Sequence, residues 1–208
     1  MKRRKITFFL AGLIAGLICA TFWSFRSPEI AIMGLVWGVG PLFFVAVVAG
    51  IVISGAWRHF HPGLLRYLAG LVLCTTSYLA AVTAFWWVFG LSPRWIGFRP
   101  SDDMAQFGID VWLGLVAAGA VGASGIASFS AILTGRWSKS LLLRLMQVGL
   151  VTIVVTYMVN LPFHSYWTFF GVLFPLGNAL FCYLVGAEIW QRVELATRET
   201  VINTVFAE

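Results

Sequence analysis

Residues 108–133 read GIDVWLGLVAAGAVGASGIASFSAIL. The stretch carries no charge beyond Asp110 near its start, and fourteen of its 26 residues are Gly, Ala or Ser. At 1.5 Å per residue, a helix of this length exceeds a hydrocarbon layer of about 30 Å, so the stretch predicts a membrane-crossing helix. On a helical wheel Gly114, Ala118, Gly122 and Gly125 make one small face. Ala117, Ala120, Ser124, Ala127, Ser128 and Ala131 make an adjoining one, while Leu115, Ile126 and Leu133 form a narrow bulky ridge on the other side. Small faces let helix backbones approach closely. The wheel therefore predicts that this helix is the central one of a bundle, approached closely by at least two neighbours.

Composition extends the same reading to the whole chain. Of 208 residues, 60% are hydrophobic and 11% are charged, and the mean hydropathy is +0.91. A soluble domain carries about 25% charged residues. So few charges cannot cover a water-facing surface, which leaves one membrane domain whose principal partner is the lipid bilayer. The net charge of +6 does not point to nucleic acid, because the basic residues cluster at the ends of apolar runs.

The chain divides into six apolar spans, at about 6–25, 30–57, 67–90, 108–133, 141–160 and 167–187, followed by a tail at 188–208. The expected fold class is all-α, a polytopic bundle of six transmembrane helices. Met1 to Lys5, MKRRK, ahead of an apolar run resembles a secretory signal. The run is 20 residues long, however, and holds Gly12 and Gly16 in a small-xxx-small pattern, so it counts as a retained span. Gly34 and Gly38 repeat the pattern in span two. Pro41 and Pro175 should kink spans two and six by removing a backbone donor. Pro93 and Pro100 break helix in the longest loop, 91–107, where Ser101 is a candidate N-cap. The prolines do not correspond between halves, so no inverted repeat is expected.

Charge sets the orientation. With six spans, the N-terminus, the loops at 58–66 and 134–140, Arg144 and the tail share one side, which holds 11 of the 14 Lys and Arg. The positive-inside rule puts that side, and both termini, in the cytoplasm, with the cell inner membrane as the location. Nine of the ten tryptophans fall at span ends or in loops, as an interfacial belt requires. In the tail, Ile189, Val193, Ala196 and Val201 mark an apolar side, and Glu188/Arg192 and Glu194/Arg198 are i, i+4 pairs. Four Glu against two Arg suit a partner or a solvated extension of span six rather than a membrane-surface anchor.

The residues that could carry chemistry are few. Cys19, Cys74 and Cys182 all lie in apolar runs with no CxxC spacing, and read as small buried hydrophobes. His59 and His61 have no carboxylate or cysteine nearby, so no metal site is expected. No span interior holds a His or a Lys, so neither an axial haem ligand nor a Schiff-base lysine is available and no cofactor is expected. Nothing ionisable sits at mid-depth, which counts against ion-coupled transport. The polar groups left at depth are neutral, and Asn178, Thr152, Ser77 and Ser124 are the candidate solute-binding set.

Gly122-Ala123-Ser124-Gly125 resembles the nucleophile motif of rhomboid intramembrane proteases, over four residues of the 208. The resemblance implies hydrolysis at Ser124 with a histidine from a later span as base. The only later histidine is His164, in an external loop, whereas Ser124 lies ~24 Å of helix below Gly108. A nucleophile and its base need hydrogen-bond reach, so packing is the expected role of Ser124 and hydrolysis is the distant alternative. Two functional classes lead. One is a non-enzymatic assembly subunit or homo-oligomer held by the small-residue faces. The other is a small permease or channel for a neutral or lipid-like solute. A cavity reaching Asn178, Thr152 and Ser77 would separate them, since a subunit needs none.

Overall fold

The computed structural model describes residues 2–22, 28–96, 109–160 and 166–205. They form six α-helices: α1 Lys2–Phe22, α2 Pro28–Ile53, α3 Leu64–Ile96, α4 Ile109–Thr134, α5 Lys139–Asn160 and α6 Tyr166–Val205, with no strand among the described residues. Five contain windows long and apolar enough to cross a membrane: Arg4–Thr21, Leu64–Phe85, Trp112–Thr134, Lys139–Val159 and Gly171–Thr197. In α2 the described apolar stretch is Gly38–Ile53. The connections at 23–27, 97–108 and 161–165 lie outside the described residues. So do Pro100, Ser101, His164 and the last three residues of the tail.

Where the helix ends differ from the reading above, local chemistry supplies the reason. Span two stops at Ile53 rather than at residue 57, because Gly55 takes a left-handed φ of 77°. That conformation suits a residue without Cβ and ends the α-helical ladder, and a short 3-10 turn, Ala56–Arg58, follows. α3 continues through Pro93 to Ile96, so Pro93 does not end it. Late in a helix a proline removes only one hydrogen bond, and the turns before it stay intact. α5 opens at Lys139 after Ser138, whose Oγ accepts from the Leu141 amide at 3.2 Å, a helix cap. α6 runs unbroken for 40 residues, so span six and the tail are one rod.

The central helix is α6, not α4. Half of α6's membrane-length window is buried, against 22% of α4's. α6 touches α1, α2, α4 and α5, while α4 touches α3, α5 and α6. On the second small face of α4, Ala127 is buried against Leu141 and Leu145 of α5 while the other residues are half-buried, and the ridge residues Leu115 and Ile126 point inward. The small faces do have close neighbours, in α3 and α5, but the bundle is centred on another helix.

α1 and α6 lie antiparallel in a four-residue ladder. Arg4 stacks over the Trp190 ring, 4.6 Å from guanidinium to centroid. Phe8, fully buried, fills the notches left by Gly186 and by Gly50 of α2. A Cβ on Gly12 would meet the Asn178 carbonyl, Cys182 and Ala179, and one on Gly16 would fall on the backbone of Phe174 and Pro175. Close approach without side chains is how helices gain dispersion contact inside a bilayer. α3 and α4 form a second antiparallel pair. There Ser77 occupies the notch of Gly125, Phe85 that of Gly114, and Phe129 that of Gly70. Gly40 brings α2 against Cys74 and Thr75 of α3. Gly38 is half-buried, and Gly34 stands in a part of α2 whose surroundings are outside the described residues.

The start of the tail belongs to the core. Ile189, Trp190 and Val193 are buried with Phe8, Ala56 and Ile51. Glu188 and Arg192 form the expected i, i+4 pair at 3.2 Å. Arg66 lies beside Gly135. Arg4, Arg58, Arg66 and Arg192 therefore stand toward one end of the bundle. The three cysteines are free and buried, as small hydrophobes are.

Candidate functional site

Five helices leave a cavity of about 210 Å³ between them. Its walls are Val39, Gly40 and Phe43 of α2, Ser77, Tyr78 and Ala81 of α3, and Leu115, Ala118, Gly119, Gly122 and Ile126 of α4. α5 adds Gly149, Thr152 and Ile153, and α6 adds Phe174, Gly177, Asn178 and Phe181. None of the lining residues is Asp, Glu, Lys, Arg or His.

Glycine is what makes the space. A Cβ on Gly119, Gly122, Gly149 or Gly177 would stand 3.8, 3.9, 3.5 and 3.8 Å from its nearest neighbour. Those are ordinary contact distances, so alanine would fit at each. Gly12, Gly16, Gly40 and Gly125 have no such room. The chain thus has two kinds of glycine, one on which helices meet and one that leaves a void. Ala118 and Gly122, expected with Gly114 and Gly125 in helix packing, belong to the cavity wall.

Of the four residues expected to bind solute, Asn178, Thr152 and Ser77 come together on this wall and Ser124 does not. The α4 lining positions 115, 118, 119, 122 and 126 cluster on one side of the helix, and at ~100° per residue position 124 lies opposite them. The Ser124 hydroxyl donates to the Ala120 carbonyl at 2.8 Å, within its own helix. Ser77 lines the cavity, but its Oγ is turned into the notch of Gly125. Replacing Ser124 by alanine should therefore change stability by less than about 0.5 kcal/mol and leave solute binding unaltered, as for other surface substitutions. A detergent-unfolding midpoint and a binding isotherm check both.

The remaining two polar groups are the chemically distinctive ones. Thr152 is 2% exposed and Asn178 8%, and neither Thr152 Oγ1 nor Asn178 Nδ2 has a hydrogen-bond partner. Other hydroxyls in these helices bond back to their own backbone, among them Thr75 to Leu71, Thr83 to Leu79, Ser128 to Ser124 and Thr134 to Ser130. Thr152 has no such bond, and Thr156, one turn on, is also unpartnered but does not line the cavity. A buried unsatisfied polar group costs about 1–3 kcal/mol. Both atoms are covered by neighbouring side chains rather than exposed to the cavity that their residues line. The accessible wall of the site is almost entirely apolar.

Both intrahelical prolines border the cavity. Pro41 follows the lining residues Val39 and Gly40, and Pro175 stands between Phe174 and Gly177. Each lacks an amide proton, so the carbonyl four residues back loses its usual partner. The sequence holds one pointer to the void, Gly177 two residues after Pro175, while Gly119, Gly122 and Gly149 lie far from either proline along the chain. Nothing in the sequence distinguished them from the packing glycines. No family model matches this sequence, and no curated protein or solved structure does either.

Proposed function

We propose that this is a multi-pass protein of the cell inner membrane, with both termini cytoplasmic, that admits a small neutral or lipid-like solute to the central cavity as a permease or carrier. The observation that carries the reading is the 210 Å³ space itself, walled by five helices and lined almost wholly by apolar atoms. The absence of charged side chains from the lining supports an uncharged solute, since an ion there would be desolvated without a counter-charge. The prolines near the cavity support the same reading, because each removes one backbone hydrogen bond from a helix that remains continuous and so loosens α2 and α6 locally. The basic end of the bundle supports a cytoplasmic placement of that end.

The assembly-subunit reading drew on the small-residue faces. Gly12 and Gly16 are covered by α6, and Gly114 and Gly125 by α3, so these four glycines offer no surface to a second copy. The solute reading therefore takes precedence. Filling the cavity tests it. Gly122→Leu projects a side chain into the space, and the protein purified in mild detergent should then lose a neutral small molecule that the native chain retains in stoichiometric amount by mass spectrometry. Equal retention by the two proteins, or none by the native chain at any added solute concentration, would sink the proposal.

A further inference from the structure

The carbon wall of the cavity narrows the class of solute. This step rests on the solute-binding reading above. Thr152 Oγ1 and Asn178 Nδ2 are covered by neighbouring atoms, and the Ser77 Oγ is turned into the notch of Gly125. What the space meets is almost wholly apolar, with Phe43, Ile126, Ile153, Phe174 and Phe181 supplying rings and methyls. A buried water needs about two to four polar partners. This wall does not offer them, so the space is dry. The hydroxyl or amide of a polar solute would give up its hydrogen bonds on entry and make none in return. A hydrocarbon gives up nothing.

Size is then the selector. Lipid tails are as apolar as this wall, so the hydrophobic effect does not drive entry from the bilayer. The gain is dispersion, since wall atoms that face a void lack partners on one side and a solute of matching size supplies them. Gly119, Gly122, Gly149 and Gly177, each with room for a Cβ, keep the void open. A dry cavity of about 150 Å³ takes the carbons of one benzene ring, so 210 Å³ takes about eight carbons by the same ratio. We infer that the cavity is a dry hydrocarbon site that takes about eight carbons of ring or chain and no polar group.

The test uses the full chain in nanodiscs of a methyl-branched lipid, whose chains are wider than the probes. The probes are ethylbenzene, octane, butylbenzene and benzyl alcohol, at matched membrane-phase concentration. Binding is the amount retained in excess of empty nanodiscs, by gas chromatography. Ethylbenzene should bind about tenfold more tightly than benzyl alcohol, which has the same number of heavy atoms, because the alcohol leaves a hydrogen bond unmade. Butylbenzene should bind the native chain more weakly than ethylbenzene. Ile153→Ala removes about three carbons from the wall and should make butylbenzene the tighter of the two, a gain that a misfolded variant could not show. Octane above ethylbenzene supports the assignment with the chain end of a lipid as the source, and ethylbenzene above octane supports it with a free ring compound. Benzyl alcohol binding as tightly as ethylbenzene, or an Ile153→Ala preference unchanged from the native one, overturns the hydrocarbon assignment and leaves a solute site of another kind. If no probe binds the native chain, the solute-binding reading fails with it.

Discussion

Replacing Gly16 by valine should detach α1 from α6 and destabilise the protein by about 3 kcal/mol, the upper end of over-packing effects. The reason is the identity of the obstructing atoms. A Cβ at this position falls on the Cα of Pro175 and the carbonyl of Phe174, which are backbone and cannot swing aside as a side chain can. The helices would have to separate, and the ladder that continues through Gly12, Phe8 and Arg4 would lose register with Cys182, Gly186 and Trp190. The control is Gly122→Ala, at a residue of the same type in a helix still richer in small residues. Its Cβ would stand 3.9 Å from that of Ala81, and alanine is the better helix former by roughly 0.5–1 kcal/mol. The control should be neutral or slightly stabilising. Unfolding midpoints in a denaturing-detergent titration decide it, and comparable losses in the two variants would mean that the α1–α6 contact is not as close as described.

The double substitution Asn178→Leu with Thr152→Val should make the protein more stable. Each native group is buried without a partner, and removing an unsatisfied group in favour of an apolar one of similar shape recovers a desolvation cost of about 1–3 kcal/mol. The extra methyl volume has somewhere to go, since both side chains border the 210 Å³ space. The same denaturation series measures it. Destabilisation of the double variant would show that these groups are structural glue between helices.

Much of this was legible in the residues. Apolar runs of 20 or more with charges at their ends predict the helices, and the small-xxx-small pair at 12 and 16 predicts a close crossing, which α6 supplies. Thr152, Asn178 and Ser77 stand out as the polar residues at depth, and they do share one wall. Ser124 stood out on the same grounds but faces away, because its hydroxyl is satisfied by Ala120 and its helix presents residues 115–126 to the cavity by the opposite side. The continuation of α6 past 187 was legible as helix, but the burial of Trp190 and Val193 was not. That burial depends on where Phe8 and Ala56 come to rest.

By itself the sequence determined the medium, the number of helices and the neutrality of whatever lies between them. Hydropathy and charge act on each stretch without reference to any other, so they can be read one residue at a time. Only the tertiary structure decided which helix is central and which glycines are contacts and which are voids. Gly16 and Gly122 are chemically the same residue in similar surroundings along the chain. One faces the backbone of Pro175 and the other an open space beside Asn178 and Thr152. The absence of a side chain has no meaning until the opposing surface is in place, and that surface is set by the packing of all the helices together.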